Sequence, residues 1–121
     1  MKTEQEVLKL NNLDKSLDYC KNNKDANVKL HEDIIVNSKN ALYAYYFALD
    51  IVGANIERLQ EIVINSGNSC YIYNFAKYVE NSNKEELFRT LLKIDDEFWI
   101  NKFIENIPPL SEELKTLVIF I

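Results

Sequence analysis

The residue types able to do chemistry are few and scattered along this chain. His31 is the one histidine, and no serine or cysteine adjoins it. A nucleophilic triad would have to be assembled wholly by the fold. Cys20 and Cys70 form neither a C-x-x-C pair nor a zinc-ligand spacing, and no cationic motif beside either argues for an activated thiolate. The tightest acidic cluster is "DDE", Asp95, Asp96 and Glu97. Adjacent carboxylates attract a divalent cation, but the alternating ligands and turn glycine of an EF-hand are missing, so a solvated helix start is the better reading. "NSGN" at 65–68 holds a single glycine and no Gly-Lys-Ser/Thr, which excludes a phosphate loop. The pattern assigns no catalytic residue, no cofactor and no metal.

Attention therefore passes to the elements that carry these residues. The 121 residues, 47% apolar and 27% charged, fit one globular domain spanning 1–121. Two glycines and two prolines are too few for the many tight turns of a sandwich or barrel, and they favour helices joined by short polar loops. The longest apolar runs, "ALYAYYFAL" and the terminal "LVIFI", fall short of the roughly 20 residues that span a bilayer. With no membrane segment, disulfide framework or signal peptide, a reducing cytoplasm is the expected compartment. The net charge of −5 sits entirely in residues 41–121, because 1–40 carry 7 basic and 7 acidic groups. That distribution argues against direct nucleic-acid binding and is compatible with a protein partner that has a basic surface.

The chain repeats itself. "YAYYFA" at 43–48 returns as "YIYNFA" at 71–76, a shift of 28. The same shift aligns Tyr19, Phe47, Phe75 and Phe103, then Cys20, Ala48, Ala76 and Ile104, and then Asn27, Asn55, Asn83 and Ser111. The chain divides without gaps into repeats 13–40, 41–68, 69–96 and 97–121. Within units, Ala44, Phe47, Ala48 and Ile51 recur at i, i+3, i+4 and i+7, as do Ile72, Phe75, Ala76 and Val79, and Ile100, Phe103, Ile104 and Ile107. Each stripe predicts a first helix. The Asn/Ser column predicts N-caps for second helices with cores at Ile56, Leu59, Ile62, Val63 and at Leu87, Leu91, Leu92. Asn83 with Glu86 resembles a capping box, and Pro108-Pro109 is expected to stop the last first helix at Ile107. Thr3 with Glu6 makes a further capping box, which predicts a capping helix within 1–12. The fold expected is all-α, a short α-solenoid of four 28-residue helix-pair repeats with an N-terminal capping helix, about nine helices in all. In that register His31 shares a column with Leu59 and Leu87, a half-buried packing position. Cys20 falls with Ala48, and Cys70 with Leu42 and Phe98, both packing columns.

The second unit, "YAYYFALDIVGANIERLQEIVINS", resembles a tandem helical repeat of clostridia-like bacteria and their phages, most closely over 41–79. The resemblance implies helical repeats and a mobile-element origin, and it brings no catalytic residue with it.

Function must then lie on the surface. Tyr43, Tyr71 and Trp99 flank the helical seam on one side, and Tyr45 and Tyr73 on the other. These rings either fill the spaces between adjacent helix pairs, the reading preferred for most of them, or form a ladder that meets a partner. Glu80, Glu85, Glu86, Asp95, Asp96, Glu97 and Glu105 add negative charge around the later units. The function expected is a non-enzymatic protein-binding module, a small inhibitor or adaptor acting through an aromatic and acidic face. A phage-encoded anti-defence inhibitor, of anti-CRISPR type, that blocks a basic nucleic-acid groove of a host complex is the alternative. A homodimer through Val118, Ile119, Phe120 and Ile121 is a further one.

Overall fold

The computed structural model describes residues 2–107, and these form eight helices without strands. They are α1 (Glu4–Leu10), α2 (Leu13–Asn22), α3 (Val28–Ser38), α4 (Ala41–Asp50), α5 (Ile56–Ser66), α6 (Ser69–Tyr78), α7 (Lys84–Ile94) and α8 (Glu97–Asn106). The N-cap predicted at Ser111, a ninth helix and the Val118–Ile121 contact lie outside the described residues.

Local chemistry sets every boundary, and the boundaries recur at the 28-residue shift. Asn12, Asn40, Asn68 and Asp96 are N-caps of the even-numbered helices, and each side chain accepts from the backbone N–H three residues on. Asn27, Asn55 and Asn83 cap α3, α5 and α7 in the same way. Thr3 and Glu6 form the full capping box expected of α1. The odd-numbered helices end at Asn11, Lys39, Gly67 and Asp95, all left-handed with φ between 51° and 66°. Each left-handed residue adjoins the next N-cap, so two residues suffice to reverse the chain.

Two expectations are sharpened by this register. Asn11 and Asn12 stand in the columns of Lys39–Asn40 and Gly67–Asn68. The N-terminal helix therefore occupies a second-helix position rather than being an unrelated cap. The even helices all end in one register, at Asn22, Asp50, Tyr78 and Asn106, although only the last precedes a Pro-Pro pair. The next residue is extended in all four, and in three of them, Ile51, Val79 and Ile107, it is also buried and plugs the core, while α2 ends at the half-buried Asn23.

The helices pack in two layers. Consecutive even helices stack as α2 on α4, α4 on α6 and α6 on α8, while α1 packs on α3 and α3 on α5. The core runs along the contact between the layers. Phe47, Phe75 and Phe103 are wholly buried at the centre, flanked by Ile72, Leu59, Leu87, Val63 and Leu91. Each such side chain stabilises the fold by about 2–3 kcal/mol through area removed from water. Ile104 departs from its predicted stripe at 40% exposed. Ala48 and Ala76 of the same column lie on helices that another even helix covers, and no described even helix follows α8.

Gly67 has φ 66°, and a methyl group added there would meet nothing within 4 Å. Gly67→Ala is therefore expected to lower stability by about 1 kcal/mol through backbone conformation alone. Urea melts of the two proteins measure this, and an unchanged midpoint would mean that the α5–α6 link relaxes.

Candidate functional site

The junctions between helix pairs contain a polar column that the sequence reading missed. A second-helix residue of one pair reaches the N-cap of the next second helix at a fixed separation of 23 residues. Glu4 Oε2 accepts from Asn27 N–H at 2.7 Å, Glu32 Oε1 from Asn55 N–H at 2.6 Å, and Gln60 Oε1 from Asn83 N–H at 2.9 Å. The three acceptors are themselves 28 residues apart. Each satisfies a backbone donor that helix initiation leaves unpaired. Partners differ between junctions. Arg58 binds Glu32 at 2.9 Å and Asp33 at 2.8 Å, and the hydrogen bond to Asp33, with Glu32 assisting, holds the guanidinium pKa above its usual value. Gln60 Nε2 instead donates to Glu86 at 2.9 Å and to the Asn83 carbonyl at 3.2 Å. The capping box predicted at Asn83 is thus only half made: Asn83 accepts from Glu86 N–H, while the Glu86 carboxylate serves Gln60. The next residue in the column is Phe88, wholly buried and packed on Phe103 with centroids 4.9 Å apart.

At the first junction the column meets His31. The ring is wholly buried, where half-burial was expected, and both nitrogens are engaged. Nδ1 lies 3.0 Å from Ser16 Oγ, Nε2 lies 3.0 Å from Glu4, and Tyr19 stacks on the ring at 5.3 Å. A neutral imidazole that donates from Nε2 to Glu4 and accepts the Ser16 hydroxyl at Nδ1 satisfies every atom; this tautomer is assigned from the partners. The fold therefore does bring a serine, the histidine and a carboxylate together. Ser16 and His31 have no exposed surface, while the Glu4 side chain is 28% exposed and is also held by the Asn27 N–H. The trio joins α1, α2 and α3.

The predicted aromatic residues are packing groups. Tyr73 is buried, and Tyr43, Tyr45, Tyr71 and Trp99 are half-buried against the core. Tyr43 donates its hydroxyl to Asp14, which pushes the phenol pKa up. Tyr45 packs on Phe75 and Tyr73 on Trp99, with centroids 6.4 Å and 5.2 Å apart, so these rings join consecutive even helices.

The predicted carboxylates do not gather on one face. Asp95 is the left-handed C-cap of α7, Asp96 is the N-cap of α8, and Glu97 lies in its first turn. That is the solvated helix start expected of "DDE". Glu85 pairs with Arg89 on α7, and Glu86 serves Gln60. Glu80 lies in the link before α7, at the opposite end of that helix from Asp95.

Glu80 does belong to a recess. Leu49, Asp50, Val52, Gly53, Tyr78 and Glu80 line a groove of about 380 Å³ between the α4–α5 and α6–α7 links. Val52 is 94% exposed and Tyr78 54%, and Leu49 and Tyr46 are exposed beside them. The groove wall carries two carboxylates. Asp50 is paired with Lys21 at 3.6 Å, and Lys77 lies over the Tyr78 ring at 5.3 Å. That leaves Glu80 as the carboxylate without a cation beside it among the described residues. Apolar walls, a phenol and the Glu80 carboxylate suit an extended basic side chain, whose stem packs while its head pairs. Sequence reasoning selected only Glu80 of these residues. The available signal was type contrast within columns: Val52 stands between Lys24 and Glu80, and Tyr78 follows Asp50.

Burial, with the Glu4 carboxylate assisting, pushes the Cys20 thiol up to about 11, so it stays protonated at neutral pH. Among the described residues, no group of three or more His, Cys, Asp or Glu side chains is placed to hold a metal ion, and no helix is long and apolar enough to cross a membrane. Comparison with protein-family profiles, with curated proteins and with solved structures finds no match.

Two outcomes follow from this geometry. Glu32→Ala should lower stability by about 1–3 kcal/mol, because it leaves the Asn55 N–H without its acceptor while Arg58 keeps Asp33, and Glu32→Gln should cost about half as much. Denaturant titration checks both, and equal losses would mean that the acceptor for Asn55 contributes nothing. For Cys20, a thiol whose folded pKa is raised above 9.0 contributes stability below pH 9 that fades as pH climbs through 11. In a Cys70→Ser background, iodoacetamide alkylation should accordingly show a midpoint near 11. A midpoint near the ordinary thiol value would show the site to be open.

Proposed function

We propose that the chain is a short α-solenoid of 28-residue helix pairs that works as a non-enzymatic protein-binding module, a small inhibitor or adaptor. The solenoid reading is supported by the common register of caps, left-handed links and junction hydrogen bonds, each of which repeats along the chain. The observation that carries the binding role is the acidic, apolar groove with Val52 and Tyr78 at its rim. Val52 at 94% exposed stands next to exposed Leu49 and Tyr78, so the apolar surface at this edge is a cluster rather than a single side chain. Aromatic and aliphatic anchors beside carboxylates are the composition of a small hot spot for a basic segment.

The partner surface is basic and is recognised through a lysine or arginine whose stem packs on Val52 and Tyr78 and whose head pairs with Glu80, since Asp50 is already paired with Lys21. This narrows the aromatic and acidic face expected from sequence to one edge of the molecule. The structural carboxylates Asp95, Asp96 and Glu86 fall outside it.

Affinity capture from a lysate of the source organism, followed by titration with the recovered partner, tests this reading. Val52→Glu with Tyr78→Ala should weaken binding at least about tenfold. Glu80→Lys should weaken it in a manner that salt attenuates, and Glu85→Lys on α7 should leave it unchanged. Loss of binding from Glu85→Lys with retention in the groove variants would place the contact surface on the other layer.

A further inference from the structure

A second groove lies against α2, walled by Lys2, Val7, Lys15, Asp18, Tyr19 and Asn22. Its meaning comes from the way one even helix seats on the next. Asp14 and Lys21 of α2 reach Tyr43 and Asp50 of α4, the latter pair at 3.6 Å. Tyr45 of α4 packs on Phe75 of α6, and Tyr73 of α6 on Trp99 of α8. The receiving positions are therefore 43 and 99, 50, and 75. Counted back by whole 28-residue shifts, they become Lys15, Asn22 and Tyr19 on α2. All three line the groove. It is a helix seat of the kind that α4, α6 and α8 fill with the preceding even helix, and no described helix lies in it.

The matching surface stands at the other end of the even layer. Counted forward, the giving positions Asp14, Lys21 and Tyr45 or Tyr73 become Phe98, Glu105 and Asn101 on α8. Phe98 is 59% exposed, and Asn101 and Glu105 are exposed with it. No described helix covers them.

We infer that the α2 seat of one molecule receives α8 of a second copy of this chain, so that molecules associate head to tail. The stack of even helices then continues across the contact in the register it has within the chain. Charge supports this occupant. The seat offers Lys2 and Lys15 against one carboxylate, Asp18, while α8 presents Glu97 and Glu105 against one cation, Lys102, beside Phe98. In register, Phe98 covers Lys15 as an aromatic face on a cation, an arrangement it already makes with Lys102 at 5.7 Å. Glu105 comes opposite Asn22, whose amide donates to it. The contact joins two different patches, so it propagates unless the rotation closes a ring. It rests on the even-helix stacking and involves no other protein. A failure here leaves the partner-binding groove standing.

Analytical ultracentrifugation of the full chain from micromolar to millimolar concentration should show the mass rising above the 14.2 kDa monomer. A tail-blocked variant, Phe98→Glu, and a seat-blocked variant, Lys15→Glu with Asn22→Glu, should each self-associate at least about tenfold more weakly. All three positions are exposed, and circular dichroism verifies that the variants fold. Mixed one to one, the two variants should form a heterodimer through the single intact junction and stop there. A monomer at every concentration overturns the inference. So does a seat-blocked variant that still self-associates, which would indicate α8 packing on α8, and so does a mixture that fails to dimerise.

Discussion

Every inter-pair junction described depends on the backbone N–H of an N-cap asparagine being taken by the helix of the preceding pair. Asn27, Asn55 and Asn83 use their side chains to satisfy their own helices, which leaves their own N–H groups in need of an acceptor. Glu4, Glu32 and Gln60 supply it across 23 residues. One hydrogen bond thus fixes both the distance and the register between consecutive second helices, since a shift of a single residue removes the acceptor. Glu32, 4% exposed, is a buried carboxylate that requires a cationic partner, which Arg58 supplies, while the partly exposed Glu4 meets the His31 ring. Where the residue is Gln60, the amide instead calls for an acceptor, which Glu86 provides. His31 meets this constraint through its contacts with Glu4 and Ser16.

With the junctions held, other columns become free to diverge. The seam keeps its phenylalanines because Phe47, Phe75 and Phe103 each fill the same enclosed volume between layers. The flanking tyrosines bridge even helix to even helix, and their hydroxyls reach water or a carboxylate such as Asp14 at the edge. Divergence concentrates in the links after the even helices. There the column holding Lys24 and Glu80 admits Val52, and the groove beside it gains its apolar rim. Among the described residues no helix lies in the α2 seat and none covers Phe98 on α8.

Much of this was legible from residue order. The Asn N-caps, the capping box at Thr3 and the inward stripe of each helix rest on interactions between residues within about seven positions of each other, where spacing along a helix is enough to place them, and the 28-residue period is the recurrence of those local features. The limits showed at single residues. The capping box at Asn83 lost its second half because Gln60, remote in sequence, competes for Glu86. Pro108 looked like the reason α8 stops, yet α4 and α6 stop in the same register at a buried, extended Ile51 and Val79.

By itself the sequence determined an all-helical chain, where most of its helices begin, and which stripe of each helix faces inward, because backbone capping and hydrophobic periodicity are local. Only the tertiary structure decided what each polar or aromatic group does. Whether a tyrosine is a spacer or a contact depends on the neighbouring helix that covers it: Tyr45 and Tyr73 are covered, while Tyr46 and Tyr78 are open. Whether a glutamate solvates the surface or carries a junction depends on a backbone donor 23 residues away, as Glu32 and Glu80 show from the same acidic composition. Exposure and pairing arise from packing between segments, and residue spacing along one helix does not contain them.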